Sequence, residues 1–311
     1  MKRTRIHRIY IFLLLSMSML FTHTYAQRNS SLLSQQMFSR INTNPAAISI
    51  SNYVDAFLLV RKQWVGFEGS PTTQVLNLQG YLPYAHSGIG ATISSDFFGN
   101  NYSLNAKIGY SYHVKTGKRS YFSFGLNAGI LYKNFRSSKI VADEPGDMAI
   151  PTENINDIKP DFDFGVVFNS PVFSMGVSAT HLTAFLYDKQ DYFAPQLGGH
   201  AFMEVRAKCT ENFTLIPNIS AIYVNKLLQA EFNLTALFQK IWWLGASYRL
   251  NDAIVAMVGF QVKGFRFGYA YDIPMGAMRG YTSGSHEIML NVRIKSTNEV
   301  DQAQQTPRFF E

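Results

Sequence analysis

Residue types that commonly do chemistry are sparse in this sequence and do not cluster along it. There are 7 histidines and 1 cysteine in 311 residues, and the spacing of His86, His113, His181, His200 and His286 matches no metal-binding pattern. Glycine-rich phosphate loops and nucleophile elbows do not occur in the sequence either. We therefore predict a protein that has no cofactor, binds no metal and is not an enzyme.

Two groups of acidic residues are the remaining candidates for a site. Glu204, Glu231 and Glu287 are expected on the polar faces of strands, where carboxylates could form a hydrolase site, although their spacing does not require one. A second group could bind calcium but lacks the EF-hand spacing; it comprises Asp143, Glu144, Asp147, Glu153 and Asp157 in a predicted loop, followed by Asp161 and Asp163. We predict that the three glutamates face the inside of a barrel without forming a catalytic site, and we interpret the loop group as solvated charge.

The first 26 residues have the pattern of an export signal. Lys and Arg residues precede an apolar run from Ile9 to Phe21, and small residues follow as far as Ala26. The run is shorter than the roughly 20 residues that a membrane-spanning helix needs. We predict a signal peptide over 1–26, cleaved after Ala26, rather than a membrane anchor.

Positive charge is concentrated in the same segment. The chain has a formal net charge of +7, which by itself suggests an acidic partner such as nucleic acid. Residues 1–26 hold four Lys and Arg and no acidic residue, so residues 27–311 have 24 basic against 21 acidic residues and a net charge of +3. We therefore predict no nucleic-acid partner.

Beyond residue 26 the dominant pattern is an alternation of apolar and polar residues with a period of two. Residues 102–114 and 122–132 show it clearly, and it is typical of strands with one apolar and one polar face. We predict about fourteen strands of a length that suits a membrane barrel, near 53–64, 72–82, 87–96, 101–114, 120–135, 161–169, 172–180, 196–208, 213–224, 227–238, 241–250, 253–262, 265–273 and 285–295.

These strands predict an all-β fold, a transmembrane antiparallel β-barrel over 53–295 in outer-membrane lipid, because only a closed barrel leaves no strand edge in lipid. Long predicted connections alternate with short ones, as in bacterial barrels with short periplasmic turns. Aromatic residues near the predicted strand ends, including Tyr81 and Trp243, are expected in the interfacial girdles. Lys115, Lys118 and Arg119 in one short turn are either solvated charge or a contact for a periplasmic partner.

Two segments lie outside the predicted barrel. Residues 27–52 are polar and lack strand periodicity, so we predict that they form a plug in the lumen or a periplasmic segment. Residues 296–311 form a polar C-terminal tail, which is either disordered or a periplasmic contact.

Three short blocks of sequence resemble signatures of one family. They are SQQMF at 34–38 with NPA at 44–46, RKQWVG at 61–66, and FRFGYAYD at 265–272 with GSHEI at 284–288. In this order across nearly the whole chain, they resemble the PorP/SprF family of type IX secretion membrane proteins. The resemblance makes these residues candidates for partner contact: Met37, Phe38, Asn44, Pro45, Arg61, Gln63, Trp64, Gly66, Arg266, Tyr269, Asp272, His286 and Glu287.

The resemblance implies a non-enzymatic outer-membrane component of the protein secretion and gliding machinery of Bacteroidetes. Such a component supports secretion or surface anchoring of cargo with a C-terminal sorting domain, and contacts periplasmic ring and peptidoglycan-linked proteins. The barrel pattern alone leaves two alternatives open, namely a porin or hydrophobic-solute channel and a lipid-modifying enzyme.

Overall fold

A computed structural model of the chain describes residues 33–49, 53–137, 153–188, 191–275 and 278–295. The predicted signal peptide, the tail 296–311 and most of the acidic loop lie outside the described residues. Among the described residues, no helix has the length and the apolar character needed to cross a membrane.

The described chain is built from long antiparallel strands. They are β1 Tyr53–Lys62, β2 Thr72–Leu82, β3 Ser87–Phe98, β4 Asn101–Lys115, β5 Tyr121–Phe135, β6 Ile155–Asn169, β7 Phe173–Thr180, β8 Gly198–Val205, β9 Ala207–Lys208, β10 Phe213–Val224, β11 Leu227–Phe238, β12 Trp242–Arg249, β13 Ala253–Val262, β14 Phe265–Pro274 and β15 Ser285–Lys295. Most bounds lie within two or three residues of the prediction. The start of β6 differs most, because Lys159 and Pro160 interrupt the apolar alternation although the strand is paired there with β5.

The sheet closes on itself. Each strand pairs with its sequence neighbour, and β15 pairs with β1 in a register that joins Tyr53 to Lys295 and Lys62 to His286. The segments β8 and β9 both pair with β10 on either side of Arg206, so they form a single wall strand. The result is a closed antiparallel barrel of 14 strands, which confirms the predicted fold class.

Side chains alternate between the two faces of the wall, and the apolar face is the outer one. Leu58 is 43% exposed, Leu76 47% and Ile108 75%. Their polar neighbours in the strands, such as Asp55 and Asn77, point inward and are buried. An apolar outer face around a polar interior is the arrangement of a barrel that is surrounded by lipid.

The two ends of the barrel differ. Short connections lie at one end, which we call the short-turn end: residues 83–86, 116–120, 170–172, 209–212, 239–241 and 263–264. Longer connections, including 63–71, 136–154, 181–197 and 275–284, lie at the opposite, long-loop end. In bacterial barrels the short turns face the periplasm. β1 begins and β15 ends at the short-turn end.

Two of the aromatic residues expected in the girdles have a different place. Trp242 is exposed on the outer face, but Trp243 and Tyr81 point into the lumen and are buried. The expectation was wrong for both residues because it used their position near a strand end and ignored the parity of the alternation.

Candidate functional site

Residues 33–49, which we call the lumen segment, lie inside the barrel. They form three single-turn 3-10 helices at Gln36–Phe38, Arg40–Asn42 and Pro45–Ala47. Ser34 hydrogen-bonds to Glu287 near the long-loop end, and the backbone N–H of Ser49 donates to Gln79 Oε1 near the short-turn end, at 3.0 Å. The segment therefore runs through the lumen toward the start of β1.

A buried ion cluster lies beside the first residues of the lumen segment. Arg61 Nη2 is 2.6 Å from Asp272 Oδ2, and Arg61 Nη1 is 3.2 Å from Glu287 Oε2. Arg249 Nη1 is 2.9 Å from the same oxygen of Asp272, and Arg249 Nε is 2.9 Å from Glu231 Oε2. Asp252 Oδ2 also lies 3.5 Å from Arg249 Nη1. Since two guanidinium groups face four carboxylates, the cluster has an excess of negative charge that needs further donors.

The lumen segment supplies those donors. The backbone N–H groups of Ser34 and Gln35 donate to the two carboxylate oxygens of Glu287, at 2.8 and 2.7 Å. Ser34 Oγ donates to Asp272 Oδ1 at 2.7 Å and accepts from Arg61 Nη1 at 2.8 Å. Removal of the segment would leave buried charged groups with unmade hydrogen bonds, which is costly.

The NPA block is bound by the backbone of the wall. Asn44 Nδ2 donates to the carbonyl oxygens of Val166 and Val177, at 3.2 and 3.1 Å, and Asn44 Oδ1 accepts from the N–H of Ala46 at 2.9 Å. Gly125 and Gly165 let the segment approach so closely, since a Cβ at Gly165 would collide with Asn44 Oδ1 and one at Gly125 with the backbone of 45–46.

Apolar and aromatic contacts hold the lumen segment between the ion cluster and the NPA block. Met37 and Phe38 belong to a buried cluster in the lumen, where the ring of Phe38 lies 4.6 Å from that of Trp243. The guanidinium of Arg266 lies 5.4 Å from the centre of the Phe38 ring. Trp243 is therefore part of the lumen packing.

A further ion pair fixes the middle of the segment. Arg40 Nη2 is 2.8 Å from Glu204 Oε2, and its guanidinium stacks on the Phe202 ring at 3.8 Å. Arg206, at the break between β8 and β9, lies 2.8 Å from the other oxygen of Glu204. Thus Glu204, Glu231 and Glu287, considered above as possible hydrolase carboxylates, each form ion pairs with arginine.

A second buried cluster lies in the lumen wall. Asp161, Asp163 and His181 bring possible metal-ligand atoms within 4.8 Å of one another. Lys107 Nζ, however, lies 2.8 Å from an oxygen of each aspartate, and His181 Nδ1 is 2.7 Å from Asp161. The ammonium group therefore stands where a metal ion would bind, so this group of residues fits a salt bridge better than a metal site.

Most of the candidate contact residues in the three sequence blocks face the lumen. Met37, Phe38, Asn44, Pro45, Arg61, Arg266, Asp272 and Glu287 are buried in the contacts just described. Arg249 is buried in the same ion cluster, although it was not among the residues predicted from the sequence. The one signal that could have identified it is its place in the alternation of β12, where it falls on the inward face.

The other block residues lie elsewhere. Gln63, Trp64 and Gly66 belong to the loop after β1, which pairs with the 275–284 loop through a hydrogen bond from Val65 N to Gly284 O at 2.8 Å. Trp64 and Gly66 both have positive φ there. Tyr269 and His286 lie on the opposite wall face from Glu287 and contact each other at 2.6 Å.

The fold is similar to that of known outer-membrane proteins. A Pseudomonas aeruginosa FadL homologue superposes with a TM-score of 0.50 and 10% identity, over 83% of this chain and 94% of that chain. The Ralstonia pickettii toluene transporter TbuX gives a TM-score of 0.53 and 9% identity, over 83% of this chain and 94% of that one. At such low identity the likeness shows the barrel fold alone.

The sequence gives the more specific comparison. No curated protein matches it. A family model described as type IX secretion system membrane protein PorP/SprF matches residues 26–292, a range that contains all three sequence blocks. This outer-membrane β-barrel therefore belongs to the PorP/SprF family of type IX secretion system membrane proteins.

Proposed function

We propose that this protein is a plugged, non-enzymatic barrel that serves type IX secretion and the associated gliding machinery. It supports the secretion or surface anchoring of cargo with a C-terminal sorting domain, and it contacts periplasmic ring and peptidoglycan-linked proteins. In this proposal the chain is exported by its signal peptide, cleaved after Ala26, and inserted into outer-membrane lipid. The observation that carries the proposal is the family match over residues 26–292.

The contents of the lumen support a structural role for the barrel. The lumen segment contacts buried polar residues of the wall along its length, from Ser34 at Glu287 to Ser49 at Gln79. A segment held along its length by ion pairs, backbone hydrogen bonds and aromatic packing acts as a plug, so the full-length protein should not conduct small solutes. The paired carboxylates of the lumen likewise support a role other than hydrolysis.

Affinity capture tests the proposal. The tagged protein, purified from native outer membranes in mild detergent, should retain type IX components or sorting-domain cargo, and a deletion strain should lose secretion of that cargo. Recovery of the barrel alone, together with normal secretion in the deletion strain, would contradict the proposal.

A second candidate function is a channel for hydrophobic solutes. It is favoured by an apolar depression of about 330 Å³ on the outer, lipid-facing side of the wall, where an apolar solute could enter from lipid; the residues that line it include Met175, Val177, Ala201 and Met203. Uptake of an apolar solute by cells expressing the wild-type protein, but not by cells with Ala201→Trp in this depression, would support the channel.

A further inference from the structure

The charged residues at the short-turn end of the barrel are almost all positive. Exposed cations lie at four of its six short turns and at the end of β15; they are Lys115, Lys118, Arg119, Lys208, Lys240, Lys263 and Lys295. Glu211 is the one acidic residue in the described turns at this end. Within the described residues, none of the seven cations forms an ion pair, so their charge is available to an external partner.

Four of these cations have the places expected for contact with lipid phosphates. Lys240 lies in a tight turn beside the exposed aromatic residues Phe238 and Trp242, and Lys263 lies in another beside Phe265. Such aromatic residues mark headgroup depth, and lysines next to them reach the phosphate layer. Lys208 and Lys295 are strand-end residues of the same kind.

The β4–β5 turn differs from the other described turns at this end in its charge. Three cations, Lys115, Lys118 and Arg119, line one open concavity of about 570 Å³. The hairpin extends three residues beyond the start of β3, which begins opposite Tyr112, while β5 stays paired with β6 as far as Tyr121 and Asn169.

We propose that this turn is a docking site for a carboxylate-rich segment of a periplasmic protein. Three positive charges around one concavity attract a run of Asp and Glu residues more strongly than the single lysine of another turn does. The inference rests on the proposed function, since it assigns to one surface the contact with the periplasmic machinery.

Site-specific crosslinking tests the docking site in native outer membranes. Cys209, the single cysteine, is replaced by alanine, and Thr116→Cys places one thiol in the exposed turn for a benzophenone maleimide. We expect illumination to link the turn to a secretion component through an Asp- and Glu-rich peptide identified by mass spectrometry. The yield should fall as ionic strength rises.

Charge reversal supplies the matched comparison. Lys118→Glu with Arg119→Glu should reduce the crosslink about tenfold, which corresponds to about 1.4 kcal/mol, because two exposed ion pairs with the partner are lost. Lys240→Glu with Lys263→Glu, which reverses the same number of charges at the same end, should leave it unchanged. Heat-dependent gel mobility confirms that both variants contain folded barrel.

The possible outcomes separate the docking site from the proposed function. A crosslink only to lipid or to the chain's own residues 296–311, or an undiminished crosslink after reversal at Lys118 and Arg119, would overturn the docking site. If affinity capture still recovers secretion components in that case, the proposed function stands. If the wild type recovers none and secretion is normal without the protein, the proposed function fails.

Discussion

Glu287 is the residue on which the contacts between wall and lumen segment converge. Its carboxylate accepts from two backbone N–H groups of the segment and lies in an ion pair with Arg61. A carboxylate is suited to this place because it offers acceptors on both oxygens and has no hydrogen to present to the N–H groups.

Glu287→Gln should therefore destabilise the barrel although it preserves the shape of the side chain. The amide removes one acceptor and leaves Arg61 with less compensation, and breaking a buried pair in this way costs about 3–5 kcal/mol. The midpoint of urea unfolding, read from gel mobility, measures the loss. Glu211→Gln in an exposed turn is the control and should change stability by less than about 0.5 kcal/mol; equal midpoints for the two variants would contradict the assignment.

Gly165 allows the close approach of Asn44 to the wall. Gly165→Ala places a methyl group against Asn44 Oδ1, so the segment must shift. We expect faster proteolysis within 33–49 in detergent-solubilised protein. Gly199→Ala is the matched control, because its nearest neighbour lies 3.9 Å from the added carbon. Equal cleavage rates in the two variants would show that the contact does not hold the segment.

Asp191 gives the long-loop end a dependence on pH. A hydrogen bond from Lys159 Nζ, at 2.6 Å, and another from the N–H of Phe193 lower the pKa of the Asp191 carboxyl. Because the folded pKa is below the ordinary value of about 3.9, the contact stabilises the loop above that value and is lost as the pH falls through the folded pKa. Acid proteases active at such pH should cleave 181–197 faster as the pH decreases, and Asp191→Asn should remove the change between mildly and strongly acid conditions.

Among the elements of the fold, the lumen segment differs from the strands because it takes no part in the strand pairing of the wall. None of the paired strands of the closed sheet includes residues of the segment. A lumen of fourteen strands is wide enough for an aqueous channel once it is emptied. Deletion of residues 33–49 should therefore produce single-channel conductance in planar bilayers, where the full-length protein produces none. Equal conductance of both proteins would refute the plug.

The wall could be predicted from the sequence and the path of the lumen segment could not. A period of two fixes both the strand and the face of each residue, so Glu204, Glu231 and Glu287 were correctly placed inside. Residues 33–49 have no repeating pattern, since their 3-10 turns follow contacts with strands far away in the sequence. The pairing of Asp161 with both Lys107 and His181 was missed for the same reason.

The orientation of the whole barrel in the outer membrane can be tested with one native residue. Cys209 is exposed in a turn at the short-turn end, which we assign to the periplasm. A membrane-impermeant maleimide should label it only after the outer membrane is permeabilised. Glu68→Cys in a Cys209→Ala background places the thiol in an exposed loop at the opposite end and should be labelled on intact cells. The reverse pattern would invert the orientation.

The barrel seam has a consequence for biogenesis. β1 and β15, the first and last strands, meet there, and Arg61 is the register partner of Glu287 across the seam. Because Glu287 also binds Ser34 and Gln35, the start of the lumen segment is held by the final hairpin. A nascent chain truncated before β15 has neither the seam nor this anchor for the lumen segment. We therefore expect these contacts to favour complete chains, because unfinished copies would stay exposed to periplasmic proteases.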